Sequence, residues 1–135
     1  MPASTSTVTM AIANQLLSLC REGKHLEAVD TLYADDVVSV ETMDCPESGL
    51  PKVTQGIEGV RAKNTWWVDN HEMHSSEVSG PFPHGDRFIF IFKFDVTCNA
   101  EGAMKGQRYQ MEEAGLYTVN DAGKIVKEEF FYHMG

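Results

Sequence analysis

The last thirty residues constrain the fold more than any other part of the sequence. They are typical of two strands of alternating character, joined by a tight turn at residues 120–123, Asn-Asp-Ala-Gly. Successive side chains of a β-strand point to opposite faces of the sheet. The more apolar face of the first strand carries Glu113, and that of the second carries Glu128. The pattern therefore predicts two carboxyl groups on the face that points into the protein.

Burying a carboxylate costs free energy unless the group is protonated, paired or hydrogen-bonded. We therefore predict a polar pocket inside an apolar shell, with Glu113 and Glu128 as candidate catalytic acids. The predicted ligand-binding residues are aromatic or thioether side chains, five of them from the hairpin: Trp66, Tyr109, Met111, Tyr117, Phe130 and Tyr132.

A structural interpretation of the same residues stays open. The acids could pair with Arg108, with Lys127 or with a tyrosine hydroxyl, and the tyrosines could be ordinary core residues. Because Glu112-Glu113 and Glu128-Glu129 are doublets, a one-residue bulge would exchange which member faces inward. Trp66 and Trp67 are adjacent on a predicted helix, so only one of them is expected to line the pocket.

Size and charge limit the classes of protein. With 135 residues, 42% hydrophobic and 23% charged, the chain is predicted to be one soluble globular domain over residues 10–135, after a flexible tail over residues 1–9. A net charge of −9 argues against nucleic-acid binding, and no apolar stretch is long enough to span a membrane. Three cysteines without paired spacing and no secretory signal predict a cytoplasmic location.

Periodicity along the chain predicts an α+β fold. Helices are expected at about residues 8–21, 26–33 and 57–68, and a short strand at residues 37–41, followed by a loop over residues 42–54. Four long antiparallel strands are expected next, at residues 73–79, 87–97, 108–119 and 125–132, with a break at residues 80–85. Strands gathered after helices favour a curved antiparallel sheet wrapped around about three N-terminal helices.

The opposite face of the predicted sheet is less polar than a solvated face. An antiparallel sheet with a second apolar face is usually covered, and a second copy of the chain could cover it. We therefore predict a homodimer. The apolar residues assigned to this face are Ile89, Ile91, Leu116, Ile125 and Phe131.

Several short segments, in this order and spacing, resemble the nuclear-transport-factor-2-like superfamily, and within it the SnoaL-like, polyketide-cyclase-type group. They are Gly-Lys at residues 23–24, Leu-Tyr-Ala-Asp-Asp-Val at 32–37, Gln-Gly-Ile-Glu-Gly at 55–59 and Gly-Lys-Ile-Val at 123–126. The resemblance covers residues 10–135 and implies a cone-shaped α+β barrel with a deep internal pocket, frequently dimeric. Its members include isomerases, cyclases, dehydratases and proteins without catalytic activity, so the pocket must indicate the function.

Comparison with the ketosteroid-isomerase type of the superfamily adds Glu41 as a candidate general base, because it falls at the position of that type's catalytic carboxylate. The two positions of its oxyanion-stabilising groups are Gly115 and Leu17 here, so both donors are absent. The resemblance thus argues against ketosteroid isomerase chemistry itself. Glu41 could instead be a strand-end carboxylate in solvent or in an ion pair.

No metal or cofactor is expected. His71 and His74 are three residues apart near a helix end, whereas the helical zinc motif needs a spacing of four, so we expect solvated histidines. The sequence predicts a protein that binds a small apolar or aromatic molecule, with cofactor-independent isomerase, cyclase or dehydratase activity as one hypothesis. A non-catalytic ligand-binding protein or a dimeric accessory domain is the alternative.

Overall fold

A computed structural model describes the backbone of residues 2–44 and 50–133 and the side chains from residue 7 onward. Within these residues the chain forms three helices and one six-stranded sheet, which confirms the predicted α+β class. The helices are α1 (Pro2–Arg21), α2 (His25–Leu32) and α3 (Ile57–Asp69). The strands are β1 (Tyr33–Val40), β2 (Val53–Gln55), β3 (His71–His84), β4 (Arg87–Cys98), β5 (Arg108–Val119) and β6 (Ile125–Phe131). Their spatial order is β2-β1-β6-β5-β4-β3.

The central strand β4 follows its sequence pattern closely. Phe88, Phe90 and Phe92 alternate with partly exposed residues and are buried against the helices. The antiparallel register pairs Phe88 with Tyr117 and Phe92 with Glu113. The phenylalanine stripe and the apolar face of β5 therefore form one inner surface, which covers the helices.

The pairing of β1 with β6 is parallel, whereas the remaining strand pairs of the sheet are antiparallel. Its register places Ser39 beside Glu128. The sequence pattern predicted four antiparallel strands but gave no indication of this pairing. This pairing places the end of β1, just before Glu41, next to the last strand of the chain.

The N-terminal segment, predicted to be a tail over residues 1–9, is instead part of α1 from Pro2 onward. Thr9 is buried, and Val8 packs against the core. The physical reason is that Thr9 continues the helical face of Ile12 and Leu16 by one turn. The helix expected from about residue 8 thus begins six residues earlier, at Pro2.

Three strand boundaries also differ from the prediction. β1 begins at Tyr33, where a helix was expected, and β2 overlaps the last two residues of the predicted loop. β3 continues through the Gly80–Pro83 segment that was expected to break it, with a register shift between Ser79 and Phe82. Because β3 is an edge strand of the sheet, its prolines remove no hydrogen bond that a second neighbour would need.

A bulge in the closing hairpin corrects the position of one residue. Thr118 pairs with Lys127 whereas Val119 pairs with Ile125, so Val126 is an extra residue in β6. Ile125 therefore faces the core, at 0% exposure, and does not belong to the outer face as predicted. Beyond the bulge the predicted alternation holds, and Glu128 faces inward.

Candidate active site

A cavity of about 330 Å³ lies between the helices and the inner surface of the sheet. Its wall combines residues of all three helices, five strands and the segments beside them. All nine residues named as candidate site residues lie in this wall: Glu41, Trp66, Tyr109, Met111, Glu113, Tyr117, Glu128, Phe130 and Tyr132. The fold thus gathers them around one space, while their roles in binding or catalysis stay predictions.

Glu41 follows β1 and continues the inward side of Val37 and Ser39, which are both buried. Its Oε2 lies 2.5 Å from Lys63 Nζ, and its Oε1 accepts a hydrogen bond of 2.9 Å from the Tyr132 hydroxyl. Glu41 is therefore a partly buried carboxylate held by one ammonium and one phenol.

Lys63 is a member of the site that sequence reasoning missed. Its Nζ also donates a hydrogen bond of 2.7 Å to Ser39 Oγ and lies 5.3 Å from the centroid of the Phe130 ring. Its side chain is 14% exposed. Helical spacing could have indicated that Lys63 faces inward, because it lies three residues after the buried Val60. A lysine on a helix is normally assigned to solvent.

Glu128 is linked to Lys63 through Ser39 and is 2% exposed. One oxygen accepts a hydrogen bond from the Tyr33 hydroxyl, and the other accepts one of 3.1 Å from Ser39 Oγ. Burial raises the pKa of Glu128, while its hydrogen bond from Tyr33 opposes that shift. Burial, with a smaller effect of Glu128, raises the pKa of the nearby Cys20 thiol to about 12.

Glu113 differs from the other two acids because no described residue donates a hydrogen bond to it. Burial raises the pKa of Glu113 from its ordinary 4.5 to about 8. Repulsion from Glu41 contributes to this increase in pKa, and the Lys63 ammonium opposes it. Glu113 is therefore mainly protonated at neutral pH and can donate a hydrogen bond into the cavity. Its neighbour Glu112 is exposed on the other side of the sheet.

The two tryptophans correct one expectation, since both Trp66 and Trp67 line the cavity. The ring of His71, the first residue of β3, is stacked on Trp67 with 4.3 Å between the centroids. His71, expected to be solvated, is half-buried in the same wall. His74 lies further along β3 and pairs with Thr97. Among the described residues, no group of three acidic, histidine or cysteine side chains could hold a metal ion.

Gly115 occupies the position of the isomerase-type acid, and the structure leaves little space for a side chain there. A Cβ atom there would lie 3.0 Å from Phe92 Cε2 and 3.1 Å from Tyr117 Cε2, so the rings occupy the space of a side chain. Glu113 lies two residues earlier on the same face of β5, and its carboxyl group reaches the cavity instead. Leu17 packs against the core and is absent from the cavity wall.

Comparison with known proteins agrees with this architecture. Residues 7–132 match the family described as the SnoaL-like domain. A candidate SnoaL-like polyketide cyclase from Mesorhizobium loti, also labelled a carbohydrate phosphatase, is 41% identical, with 91% of this chain and 97% of that chain covered and a TM-score of 0.80. No curated protein matches the sequence.

More distant structures share the fold. A candidate SnoaL-like polyketide cyclase from Jannaschia sp. CCS1 has a TM-score of 0.71 at 16% identity, with 93% and 85% of the two chains covered. A candidate isomerase from Bacillus subtilis has a TM-score of 0.71 at 14% identity, with 96% and 88% covered. The family match and the relative from Mesorhizobium loti agree with the resemblance seen in the sequence. The chain belongs to the SnoaL-like family.

Proposed function

We propose that the cavity binds a small apolar carbonyl compound and catalyses proton transfer on it without a cofactor. The reaction class is isomerisation, aldol-type cyclisation or dehydration. Relatives described as candidate cyclases and a candidate isomerase support this class. Glu41 is the proposed general base and Glu113 the proposed hydrogen-bond donor.

One observation carries the proposal: two carboxyl groups in the same cavity have opposite environments, one ion-paired and the other buried without a hydrogen-bond donor among the described residues. Glu41 forms an ion pair with Lys63, whereas Glu113 is protonated at neutral pH because burial raises its pKa to about 8. Two carboxyl groups can act as acid and base in one enzyme when their environments differ. The aromatic wall formed by Trp66 and Phe94 suits an apolar ligand.

The proposed reaction begins with the ligand carbonyl oxygen accepting a hydrogen bond from the Glu113 carboxyl group. Glu41 removes a proton from the carbon beside that carbonyl, and the electron pair moves to the oxygen, giving an enolate. Isomerisation ends when Glu41 returns the proton to another carbon. In an aldol cyclisation, the enolate carbon attacks a second carbonyl of the same ligand, the electron pair of that C=O π bond moves to its oxygen, and the resulting alkoxide takes the proton from Glu41. Glu128 is not assigned proton removal, because it is 2% exposed whereas the Glu41 side chain is 22% exposed and nearer to solvent.

The test is deuterium exchange at the carbon beside the carbonyl of β-tetralone, followed by proton NMR in D₂O. The wild-type protein is expected to accelerate this exchange, and Glu41→Gln to reduce the acceleration about 100-fold or more. Glu112→Gln is the matched control, since Glu112 is exposed beside Glu113. Unchanged exchange in Glu41→Gln would show that Glu41 is not the base.

A non-catalytic binding protein is the second candidate, and the pairing of Glu41 favours it. Both oxygens of Glu41 have partners, which weakens a carboxylate as a base. This candidate predicts that β-tetralone binds in the cavity while its exchange rate stays at the rate in buffer. The exchange measurement and a parallel calorimetric titration therefore separate the two functions.

We also propose a homodimer formed through the outer face of the sheet. Ile89 pairs across strands with Leu116, and Ala114 with Ile91 and Phe131, so these side chains are contiguous. Phe131 is 53% exposed, and Phe82, which pairs with Ile89, is 56% exposed. Contiguous apolar surface of this kind marks a site of protein association.

A cytoplasmic location stays part of the proposal. Cys20 and Cys98 are free and buried, as expected in a reducing compartment, and Cys45 lies outside the described residues. No helix in the described part of the chain is long and apolar enough to cross a membrane.

A further inference from the structure

The end of the cavity away from the carboxyl groups contains a second polar group, His71. Cys98, the β4 partner of His71, and Phe92, the partner of Glu113, both line the cavity. Phe92 and Cys98 are separated along β4 by roughly 20 Å of extended chain. The proposed reaction involves only the end of the cavity near Glu113.

The His71 ring is fixed in position by two independent contacts. It stacks on Trp67 with an angle of 11° between the rings, and Trp66 meets it edge-on with centroids 5.9 Å apart. Its Nδ1 lies 2.8 Å from the Trp67 carbonyl oxygen. A carbonyl oxygen only accepts hydrogen bonds, so Nδ1 carries a hydrogen and donates it. The ring can neither turn over nor exchange its nitrogens without losing this bond.

The consequence of this arrangement lies at Nε2. In a neutral imidazole whose Nδ1 is protonated, Nε2 carries a lone pair and accepts a hydrogen bond. Burial lowers the pKa of His71, which favours that neutral form. No described residue bonds to Nε2. His25 also lines the cavity, but the described residues give it neither a hydrogen bond nor a stacked ring that would fix its orientation.

We propose that His71 is a ligand-binding residue whose Nε2 accepts a hydrogen bond from a hydroxyl group of the ligand. This inference rests on the proposed function and narrows its ligand class. The ligand is an elongated aromatic molecule with a carbonyl group at one end, bound at Glu113, and a hydroxyl group at the other. Trp67, Phe94 and Met111, which lie between the two ends in the wall, contact its rings.

The test uses para-acetylbiphenyl and its para′-hydroxy derivative, which differ only by the far hydroxyl group. Isothermal titration calorimetry is expected to give about fivefold tighter binding of the hydroxy derivative to the wild-type protein, as for one net hydrogen bond. In His71→Phe this preference is expected to disappear while the affinity for para-acetylbiphenyl is kept. The phenyl ring can still stack on Trp67, so the wall is retained.

His25→Phe is the matched control, because it changes the other cavity histidine and is expected to keep the preference. Equal affinity of the two probes for the wild-type protein, or a preference that survives in His71→Phe, would overturn the inference. Nitrogen-15 NMR gives a second test without any ligand: a His71 proton on Nε2, or a cationic ring at pH 7, would also overturn it. The proposed reaction can fail while this inference holds. In that case both probes bind with the expected preference, but the protein does not accelerate deuterium exchange of β-tetralone.

Discussion

At the scale of single residues, the raised pKa of Glu113 predicts how the rate of the proposed proton transfer depends on pH. The carboxyl group must keep its proton to donate a hydrogen bond to the ligand carbonyl, and burial raises its pKa to about 8. The rate of deuterium exchange is therefore expected to fall as pH rises through about 8. In Glu113→Gln this alkaline decrease should vanish, because an amide donates at any pH in the range, and the remaining rate should be lower. A decrease that persists in the variant would assign it to another group.

Glu113 also makes the stability of the fold depend on pH. Between its ordinary pKa of 4.5 and about 8, this group is protonated in the folded state and ionised in the unfolded state. The unfolded state then binds fewer protons, so the free energy of unfolding falls as pH rises through this range and the loss is complete above it. Glu113→Gln is expected to raise the free energy of unfolding by on the order of 2 kcal/mol at pH 8 and by little at pH 4. Urea denaturation at both pH values measures this, with Glu112→Gln as the unaffected control.

At the scale of elements, α3 supplies a cation, Lys63, that interacts with two acids of the sheet side, Glu41 after β1 and Glu113 in β5. Lys63 bonds to Glu41 and to Ser39, and it lowers the pKa of Glu113. Lys63→Met should raise the pKa of Glu113 above its wild-type value. It should also lower the free energy of unfolding by about 1–3 kcal/mol, because Glu41 and Ser39 each lose a partner. Carbon-13 NMR of the side-chain carboxyl groups and denaturant titration are the measurements. Arg61→Met on the exposed side of the same helix should leave the pKa of Glu113 unchanged.

The elements differ in how well sequence predicts them. β4 and β5 alternate regularly, so the inward direction of Phe92 and Glu113 could be predicted from the period of two. Ile125 could not, because the extra residue Val126 shifts the alternation by one place. Lys63 was not predicted because a charge on a helix indicates solvent unless its partners are known. Those partners lie on β1, and their proximity depends on tertiary packing.

At the scale of the whole molecule, the proposed homodimer can be tested through the outer sheet face. A homodimer that covers this face predicts a solution mass of two chains at micromolar concentration, measured by light scattering after size exclusion. Phe131→Asp places a charge in the proposed interface and is expected to give a monomer with the fold retained. Lys127→Asp, a nearby change on the same strand outside the apolar cluster, should remain a dimer. A monomeric wild-type protein would contradict the proposal.

The parallel pairing of β1 with β6 also determines when the polar site can form during synthesis. Ser39 and Glu128 become neighbours only when the last strand inserts beside the first. On a ribosome, the helices and β1 emerge well before β6, so Ser39 lacks Glu128 as a neighbour while most of the chain is already available for folding. Such a long-range contact forms late because closing a long loop costs entropy. A nascent chain that stalls before residue 125 contains Glu41, Glu113 and most of the aromatic wall but lacks Glu128 and Tyr132, so the hydrogen bonds that join these two residues to Ser39 and Glu41 form only when the chain is complete.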